Sequence, residues 1–310
     1  MSKRFLVIAV VVAGMAYALA FVPFRVAGQA PAAAPQSICP DDNPAKFHAC
    51  ALEAAKNFAP AKTEDGHPDL NGYWRHRTSG HEDLEEHPKE VDDAGGPSMV
   101  VDPPDGKVPM QAWAEAQRAI NEEKYIDQNI QCYESGTPRH LYMGAYQFLQ
   151  TKDYLALLSE ETRAIRTITL DGRPHIGKDI HLWQGDSRGR WEGNTLVVET
   201  TNQNGKVWLD QRGRFYTDEA TVVERFTFLD ANTVEFQATI TDPLVYTRPW
   251  TIIFPLRRNL TAGYQIMEES CYEGESNVQH LMAVGYRRYP GMTGKEARAA
   301  KEAFERRGTR

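Results

Sequence analysis

Hydrophobic and polar residues alternate along much of the second half of the chain. The segment 233–241 is the clearest case, because its even positions are all apolar and its odd positions are threonine, glutamate or glutamine. Alternation with a period of two places successive side chains on opposite faces of a β-strand. The pattern predicts seven strands, at residues 154–158, 164–170, 195–201, 221–228, 233–241, 250–254 and 265–271.

Turn-forming residues separate several of these segments. Asp171-Gly172 follows the second predicted strand, Gly193-Asn194 precedes the third, and Asp230 and Asn232 lie between the fourth and fifth. Short turns of this kind favour an antiparallel meander. Seven or eight such strands close into a barrel or pack as a sandwich. We therefore expect a mainly β fold, with an antiparallel meander that forms a lipocalin-like barrel or sandwich.

Helical patterns flank the strand region. Apolar residues recur at helical spacing in the segments 44–58 and 110–127. Residues 67–109 are rich in proline, glycine, aspartate and histidine, which predicts a loop with one strand near Tyr73. Together these segments predict a loop-and-helix arm around the barrel. Thr293, followed by glutamate three residues later, is a capping box that predicts a C-terminal surface helix.

The N-terminus has the pattern of a secretory signal. Lys3 and Arg4 precede an apolar run over 5–22, and small residues follow near position 30. An uncleaved membrane anchor is the alternative, since the run is long enough for a short span. In both cases the bulk of the chain leaves the cytoplasm, so we predict a periplasmic or secreted protein. The predicted organisation is a signal peptide (1–30), a linker with a short helix (31–66), a β-barrel-like domain with its N-terminal arm (67–290) and a C-terminal helix (291–310).

Charge limits the expected partners. The formal net charge is −7, and removal of residues 1–30, which carry three basic and no acidic residues, changes it to −10 (−7 − 3). A protein this acidic is a poor partner for nucleic acid or an anionic membrane surface. We expect a small-molecule ligand, and no membrane contact beyond the signal or anchor.

Four cysteines, Cys39, Cys50, Cys132 and Cys271, lie beyond the predicted signal. This usage fits an oxidising compartment and disulfide bonds. Three pairings are possible: Cys39 and Cys50 could staple the N-terminal segment, whereas a bond between Cys132 and Cys271 would tie distant parts of the chain. No CxxC motif occurs, which excludes zinc-ribbon and thioredoxin-type sites.

The alternation also identifies charged residues on apolar strand faces. Glu224 shares its face with Val222 and Phe226, and Arg166 shares its face with Ile168. A carboxylate on such a face must be paired or protonated, because burying it alone costs several kcal/mol. We therefore expect Glu224 and Arg166 to face the interior.

Tyr246 and Arg248 are in register with Trp250, so the same parity predicts that they join Glu224 and Arg166 inside the barrel. In the functional interpretation Glu224 is an acid/base, and the arginines and the tyrosine orient an oxygen-bearing group of a ligand. The structural alternative is a buried ion pair that closes the bottom of the barrel.

The long connection 171–193 is a candidate lid over the mouth of the barrel. It contains His175, His181 and Asp186, and pairing of either histidine with the aspartate would suit proton transfer. The alternative is that Asp186 caps a turn and that Arg190 pairs with the nearby glutamate in water.

Several common sites are disfavoured. His81 and His87 lie in an acidic stretch, but their spacing fits no standard zinc pattern. The chain has no Walker loop and no dinucleotide-binding glycine motif. We expect neither a metal nor a cofactor.

Five motifs occur in order along the chain. They are TLDGRPH at 169–175, GDSRGRWEGNTLVVET at 185–200, WLD at 208–210, VERF at 223–226 and DPLVYTRPW at 242–250. In this order they resemble a large family of exported, β-rich bacterial proteins of unassigned function, over about residues 68–271. The chain departs from that pattern after its fourth cysteine and in its acidic insert.

The resemblance implies an exported β-rich domain and carries no catalytic assignment. It strengthens the case for five candidate site residues that coincide with motif positions: His175, Glu224, Arg248, Trp191 and Trp250. We include the two tryptophans among the candidate ligand-binding residues.

These observations predict an exported protein with a small-molecule pocket. The favoured hypothesis is that the protein is a cofactor-free hydrolase, lyase or isomerase. It would carry out an acid/base step on a small, partly apolar molecule. A non-catalytic binding protein of the cell envelope is the first alternative. The second is an interaction domain, which requires Trp183, Trp191 and Trp208 on one outer patch.

Overall fold

The computed structural model describes residues 37–308, apart from 77, 92, 162–163 and 273–275. The predicted signal peptide lies outside the described residues.

The described chain contains twelve strands and four α-helices. In chain order the strands are β1 (Gly72–His76), β2 (Val100–Asp102), β3 (Tyr125–Ile126), β4 (Ala145–Gln150), β5 (Tyr154–Ser159), β6 (Ile165–Thr169), β7 (Asp186–Glu192), β8 (Thr195–Thr201), β9 (Thr221–Asp230), β10 (Thr233–Thr241), β11 (Trp250–Arg258) and β12 (Arg287–Arg288). The helices are α1 (Pro44–Asn57), α2 (Ala112–Lys124), α3 (Asn277–Ala283) and α4 (Gly294–Gly308), with a 3₁₀ helix at Arg139–Tyr142.

Nine strands close into a lipocalin-like barrel, which settles the choice between barrel and sandwich. They pair in the order β1-β4-β5-β6-β7-β8-β9-β10-β11, and β11 pairs back to β1. The short strand β2 adds to β11 next to this closure, and β3 and β12 form a separate parallel pair. Closure leaves the barrel without a free edge.

The predicted meander is confirmed at every barrel pairing but one. Strands β6 and β7 are parallel, with Ile168 opposite Ser187 and Thr169 opposite Arg188. The turn predicted at Asp171-Gly172 therefore does not lead into a hairpin. Instead, the long connection that follows β6 returns to the end of the barrel at which β6 started.

The predicted strand at 265–271 is wrong. Because β1 pairs with β11, no barrel edge is left for a further strand at this place. The segment crosses outside the barrel, where the Met267 amide donates to Glu160 Oε1 at 2.7 Å. The other six predicted strands are observed within a few residues of the expected bounds.

The helices begin as local chemistry dictates. Asn43 caps α1 by accepting from the Lys46 amide at 3.0 Å, and Pro44 occupies the first helical position. The predicted capping box opens α4, because Glu296 Oε2 accepts from the Thr293 amide at 2.8 Å. Within the described chain, no helix combines the length and apolarity required to cross a membrane.

The α1 helix covers one outer face of the barrel. Its buried residues Phe47 and Ala51 pack with Leu229 of β9 and Ile253 of β11 in a small apolar cluster. The short helix predicted within the linker therefore packs on the barrel, since apolar side chains on both sides of the contact are removed from water.

Aromatic side chains fill the interior of the barrel. Neighbouring ring centroids are 5.9 Å apart for Phe148 and Phe226, 5.0 Å for Phe226 and Phe236, and 4.8 Å for Phe236 and Phe254. Trp74 extends this contact at 6.5 Å from Phe148. At this level the inner faces form a packed core, where the sequence predicted space for a ligand.

Both disulfide bonds are formed, between Cys39 and Cys50 and between Cys132 and Cys271. The first closes a short stretch that includes the start of α1. The second joins residues separated by 139 positions. Two disulfides are typical of proteins outside the reducing cytoplasm.

Candidate functional site

The candidate polar groups gather at one end of the barrel, which we call the upper end. Here β1 ends at His76, β7 begins at Asp186, β9 begins at Thr221 and β11 begins at Trp250. The connections that meet at this end bury the polar side chains of Thr137, His140, Gln203 and Tyr216. The upper end is therefore closed by a polar layer above the aromatic core.

Arg166 and Glu224 meet inside the barrel, as the alternation predicted. The Arg166 Nη1 donates to Glu224 Oε1 at 2.9 Å, and its Nη2 bonds the other carboxylate oxygen. Arg166 also donates to Ser187 Oγ at 3.0 Å and to Thr200 Oγ1 at 2.8 Å. These four residues lie on consecutive strands from β6 to β9, so the sheet order brings them together.

The ion pair is closed to solvent. Side-chain exposure is 1% for Arg166 and 0% for Glu224, and both carboxylate oxygens are bound. Neither side chain lines the cavity that contains His175 or the cavity that contains His87. This geometry favours the structural alternative. A catalytic role of Glu224 stays a prediction.

Arg248 does not join this cluster, so its predicted interior position is wrong. Its Nη2 pairs with Asp102 at 2.7 Å, and both side chains are about half exposed. The strand β11 begins only at Trp250, so the alternation does not extend back to Arg248. Tyr246 is buried and donates to the Phe215 carbonyl at 2.7 Å, and the Trp250 ring packs against it.

His140 lies in the polar layer near Arg166. It is fully buried, and its Nδ1 is 3.0 Å from the Gly136 carbonyl oxygen, which it can reach only as a donor. Burial and the charge of Arg166 lower the pKa of His140 to about 3. The imidazole is therefore neutral in the folded protein at ordinary pH.

Because His140 is buried and neutral, we expect the folded protein to lose stability in acid. Its pKa in the folded chain lies below the value of 6.5 for an exposed histidine, so the unfolded chain binds the extra proton. The contribution of neutral His140 to the free energy of unfolding is complete above pH 6.5. It is lost as the pH falls below that value, by about 1.4 kcal/mol per pH unit. His140→Gln should reduce the slope of unfolding free energy against pH by roughly this amount, measured by urea unfolding between pH 7.5 and 4.5.

The control for this experiment is His280→Gln, which changes an exposed histidine of α3. His81 should leave some slope in both variants, because burial and Arg139 lower its pKa to about 4. A His140→Gln slope equal to that of wild type would contradict the expectation.

A second polar group lies on the outside of the barrel at the same end. His175 Nδ1 is 2.7 Å from Asp186 Oδ2, which also accepts from the Ile176 amide at 3.2 Å. The predicted pairing of a histidine with Asp186 is therefore confirmed for His175. His181 instead places its Nδ1 3.0 Å from the Gln203 carbonyl oxygen.

Two residues of this group were not predicted from the sequence. Arg188 Nη1 pairs with Asp186 Oδ1 at 2.7 Å, and Glu199 Oε1 lies 3.3 Å from His175 Nε2. Arg188 and Glu199 are opposite each other in the β7–β8 register. Strand parity places both on the outer face, but their contacts depend on the fold of the preceding connection. The predicted pairing of Arg190 with Glu192 in water is also present, at 2.7 Å.

Asn202 anchors the connection that carries the histidines. Its backbone is left-handed, with φ of 58°, which asparagine tolerates better than most residues. Its side-chain amide donates to the carbonyl oxygens of Gly177 and Ile180 at 3.0 and 2.9 Å. The Leu182 amide donates back to Asn202 at 2.9 Å. The connection predicted as a lid over 171–193 is shorter than expected, because residues from Asp186 onward form strand β7. Its remaining part is fastened to the end of β8.

His175 and His181 line a cavity of about 680 Å³ between this connection and the start of α4. The lining also contains charged residues of both signs. Two of the acids are engaged, since Asp218 accepts from the Gly294 amide at 2.7 Å and Glu219 pairs with Arg298 at 2.6 Å. The charged residues of the lining are Lys178, Asp179, Asp218, Glu219, Lys295 and Arg298.

A second histidine–aspartate pair provides a contrast. His87 borders a charged cavity of about 650 Å³, and its Nε2 is 3.1 Å from Asp93. Its Nδ1 is engaged as well, 2.8 Å from the Glu85 carbonyl oxygen. Burial lowers the pKa of His87, but these two contacts outweigh it and raise the pKa above its usual value. Both ring nitrogens of His87 have contacts no longer than 3.1 Å, which fits a structural imidazolium. The Nε2 of His175 has only the 3.3 Å contact with the half-exposed Glu199.

The acidic stretch does not assemble a metal site in the described chain. His81 lies 2.8 Å from Glu82, and no group of three histidine, cysteine or acidic residues is placed to hold an ion within the part of the chain that the structure describes.

The tryptophans do not form a single outer patch. Trp208 is buried, Trp191 stacks on His67 at 5.5 Å and Trp183 stacks on Tyr133 at 5.3 Å. The condition set for an interaction domain built on these three residues is therefore not met.

The fold and these residues define a lipocalin-like β-barrel protein with a histidine–aspartate pair at an outer cavity. No protein-family model and no curated protein matches the chain. The family resemblance of its motifs therefore stays a prediction.

Proposed function

We propose that this protein is a periplasmic or secreted enzyme that binds a small molecule in the 680 Å³ cavity and exchanges a proton with it through His175. The observation that carries the proposal is the 2.7 Å contact between His175, which lines that cavity, and the largely buried Asp186. The two disulfides support a location outside the cytoplasm.

The two contact distances support different roles for the two ring nitrogens. Asp186 is an acceptor, so Nδ1 carries a hydrogen and Nε2 of the neutral ring is a base. A carboxylate that holds the imidazole in one tautomer also stabilises the imidazolium that forms after proton uptake. Glu199 contacts Nε2 at the longer distance of 3.3 Å and is half exposed, so a ligand can displace it.

The lining supports a polar ligand. The histidines and the charged residues of both signs suit a molecule with several hydrogen-bonding groups, rather than the partly apolar molecule expected for a barrel interior. Hydrolysis, elimination and isomerisation need one residue that takes up and returns a proton, and none of them requires a cofactor.

The second candidate is a binding protein with the same cavity and no chemistry. The 2.7 Å ion pair of Asp186 with Arg188 favours it as an alternative, because ion pairs also stabilise loops without any catalytic role. In that case a ligand would stabilise the protein and be recovered unchanged.

The test is a thermal-shift screen of polar small molecules, followed by mass analysis of each stabilising compound after incubation. We expect His175→Gln to lower turnover of a modified compound by about 10²–10⁴-fold, the usual contribution of a positioned acid/base. Asp186→Asn should also lower turnover, because an amide can favour the wrong tautomer.

His280→Gln is the matched control and should leave turnover unchanged, since His280 is exposed on α3. Recovery of every stabilising compound unmodified would favour the binding protein. Turnover that His175→Gln leaves intact would remove His175 from the mechanism.

A further inference from the structure

We infer that Arg188 is the positioning residue of this site: it holds Asp186 and the backbone before His175 so that the ring presents only Nε2 to the cavity. The inference rests on the proposed function. Its geometry can nevertheless be tested without any ligand.

Arg188 contacts both sides of the histidine–aspartate pair. Its Nη1 lies 2.7 Å from Asp186 Oδ1, and its Nε donates to the Pro174 carbonyl oxygen at 3.0 Å. Pro174 directly precedes His175 in the chain. One guanidinium therefore fixes the acceptor and the peptide from which the imidazole extends.

The same side chain joins the strands beneath the pair. Arg188 Nη1 donates to the Ser187 carbonyl oxygen at 3.0 Å and reaches Thr169 Oγ1 of β6 at 3.4 Å. Strands β6 and β7 share only two register pairs, and the connection that carries His175 runs between them. The arginine thus strengthens the weakest junction of the barrel at the place where the site is built.

The two oxygens of Asp186 have separate partners. Oδ1 contacts Arg188, whereas Oδ2 contacts His175 Nδ1 and the Ile176 amide. An arginine stays charged at every working pH and holds several acceptors in a fixed planar geometry. It therefore orients the Asp186 carboxylate so that Oδ2 points at Nδ1 of His175. A lysine would keep the charge but could not hold Asp186 Oδ1 and the Pro174 carbonyl oxygen in one fixed planar geometry.

Arg190, two residues along β7, is the matched control. It also pairs with a carboxylate, that of Glu192 at 2.7 Å, but its side chain is 64% exposed. An exposed pair of this kind contributes little to stability. Arg190→Met removes an arginine from the same strand without touching the histidine–aspartate pair.

The experiment is nitrogen NMR of the His175 ring at a pH at which the imidazole is neutral. Wild type and Arg190→Met should show one tautomer, with hydrogen on Nδ1. Arg188→Met should populate both tautomers, and Arg188→Lys should give an intermediate mixture. If Arg188→Met does not fold, as judged by circular dichroism, the tautomer populations of Arg188→Lys and wild type are compared instead. A larger share of the Nε2–H tautomer in Arg188→Lys then supports the inference.

A pure Nδ1–H tautomer in the Arg188 variants, or an Nε2–H tautomer in wild type, would overturn the inference. If the screen yields a substrate, Arg188→Met should lower kcat by about tenfold to a hundredfold, as expected for a misplaced catalytic group. Ligand-induced stabilisation should persist. Failure to find any substrate would count against the proposed function, but the tautomer result would still stand.

Discussion

Replacing Glu224 with leucine is expected to lower the free energy of unfolding by about 3–5 kcal/mol. The substitution leaves the Arg166 guanidinium inside the barrel without its counter-charge, and water cannot reach it, because both side chains are essentially unexposed. Ser187 and Thr200 would still accept hydrogen bonds from Arg166, but neutral hydroxyls do not replace a carboxylate. Urea unfolding monitored by tryptophan fluorescence measures the change.

The double variant Arg166→Leu/Glu224→Leu separates the strength of the pair from the cost of an unpaired charge. Removing both charges should recover most of the lost stability, because two apolar side chains need no desolvation of ions. Arg225→Leu is the control on the same strand, since Arg225 pairs with Glu192 at 3.2 Å on the outer surface. It should cost less than about 1 kcal/mol. A Glu224→Leu variant as stable as Arg225→Leu would contradict the assignment of a buried ion pair.

Replacing Cys132 and Cys271 with serine is expected to cost about 2–5 kcal/mol of unfolding free energy. This disulfide closes a loop of 139 residues and so restricts the unfolded chain strongly. It also ties the segment after β11, which buries few residues of its own, to the body of the domain.

The Cys39→Ser/Cys50→Ser variant is the matched control, because its disulfide spans only 11 residues. Chain entropy predicts a loss smaller by about 2 kcal/mol for this shorter loop. Thermal and urea unfolding of both variants measure the difference. An equal or larger loss for the short loop would show that chain entropy does not dominate.

Local alternation was sufficient to predict most of the barrel. The segment 233–241 has apolar residues at every even position, and it is a strand with those residues buried. The same reasoning placed Glu224 and Arg166 on the inner face, because a strand fixes the direction of each side chain. The alternation gave the wrong position for Arg248, because this residue lies before the first residue of β11. Regular alternation ends where the strand ends.

Contacts between distant segments were the least predictable part of the site. His175 and Asp186 were recognised as a candidate pair because both lie in one connection. The roles of Arg188 and Glu199 depend on how that connection folds against β7 and β8. The second histidine–aspartate pair, His87 with Asp93, also has no sequence signal that separates it from the first.

The sequence by itself determined most of the barrel strands, the helices and the inward positions of Glu224 and Arg166, because each follows from the spacing of neighbouring residues. The tertiary structure decided that the barrel closes through β1 and β11, that its interior is filled by aromatic rings and that the cavity lies outside it. These outcomes depend on which strands pair and how large side chains share a fixed volume. Packing of that kind is a property of residues far apart in the chain.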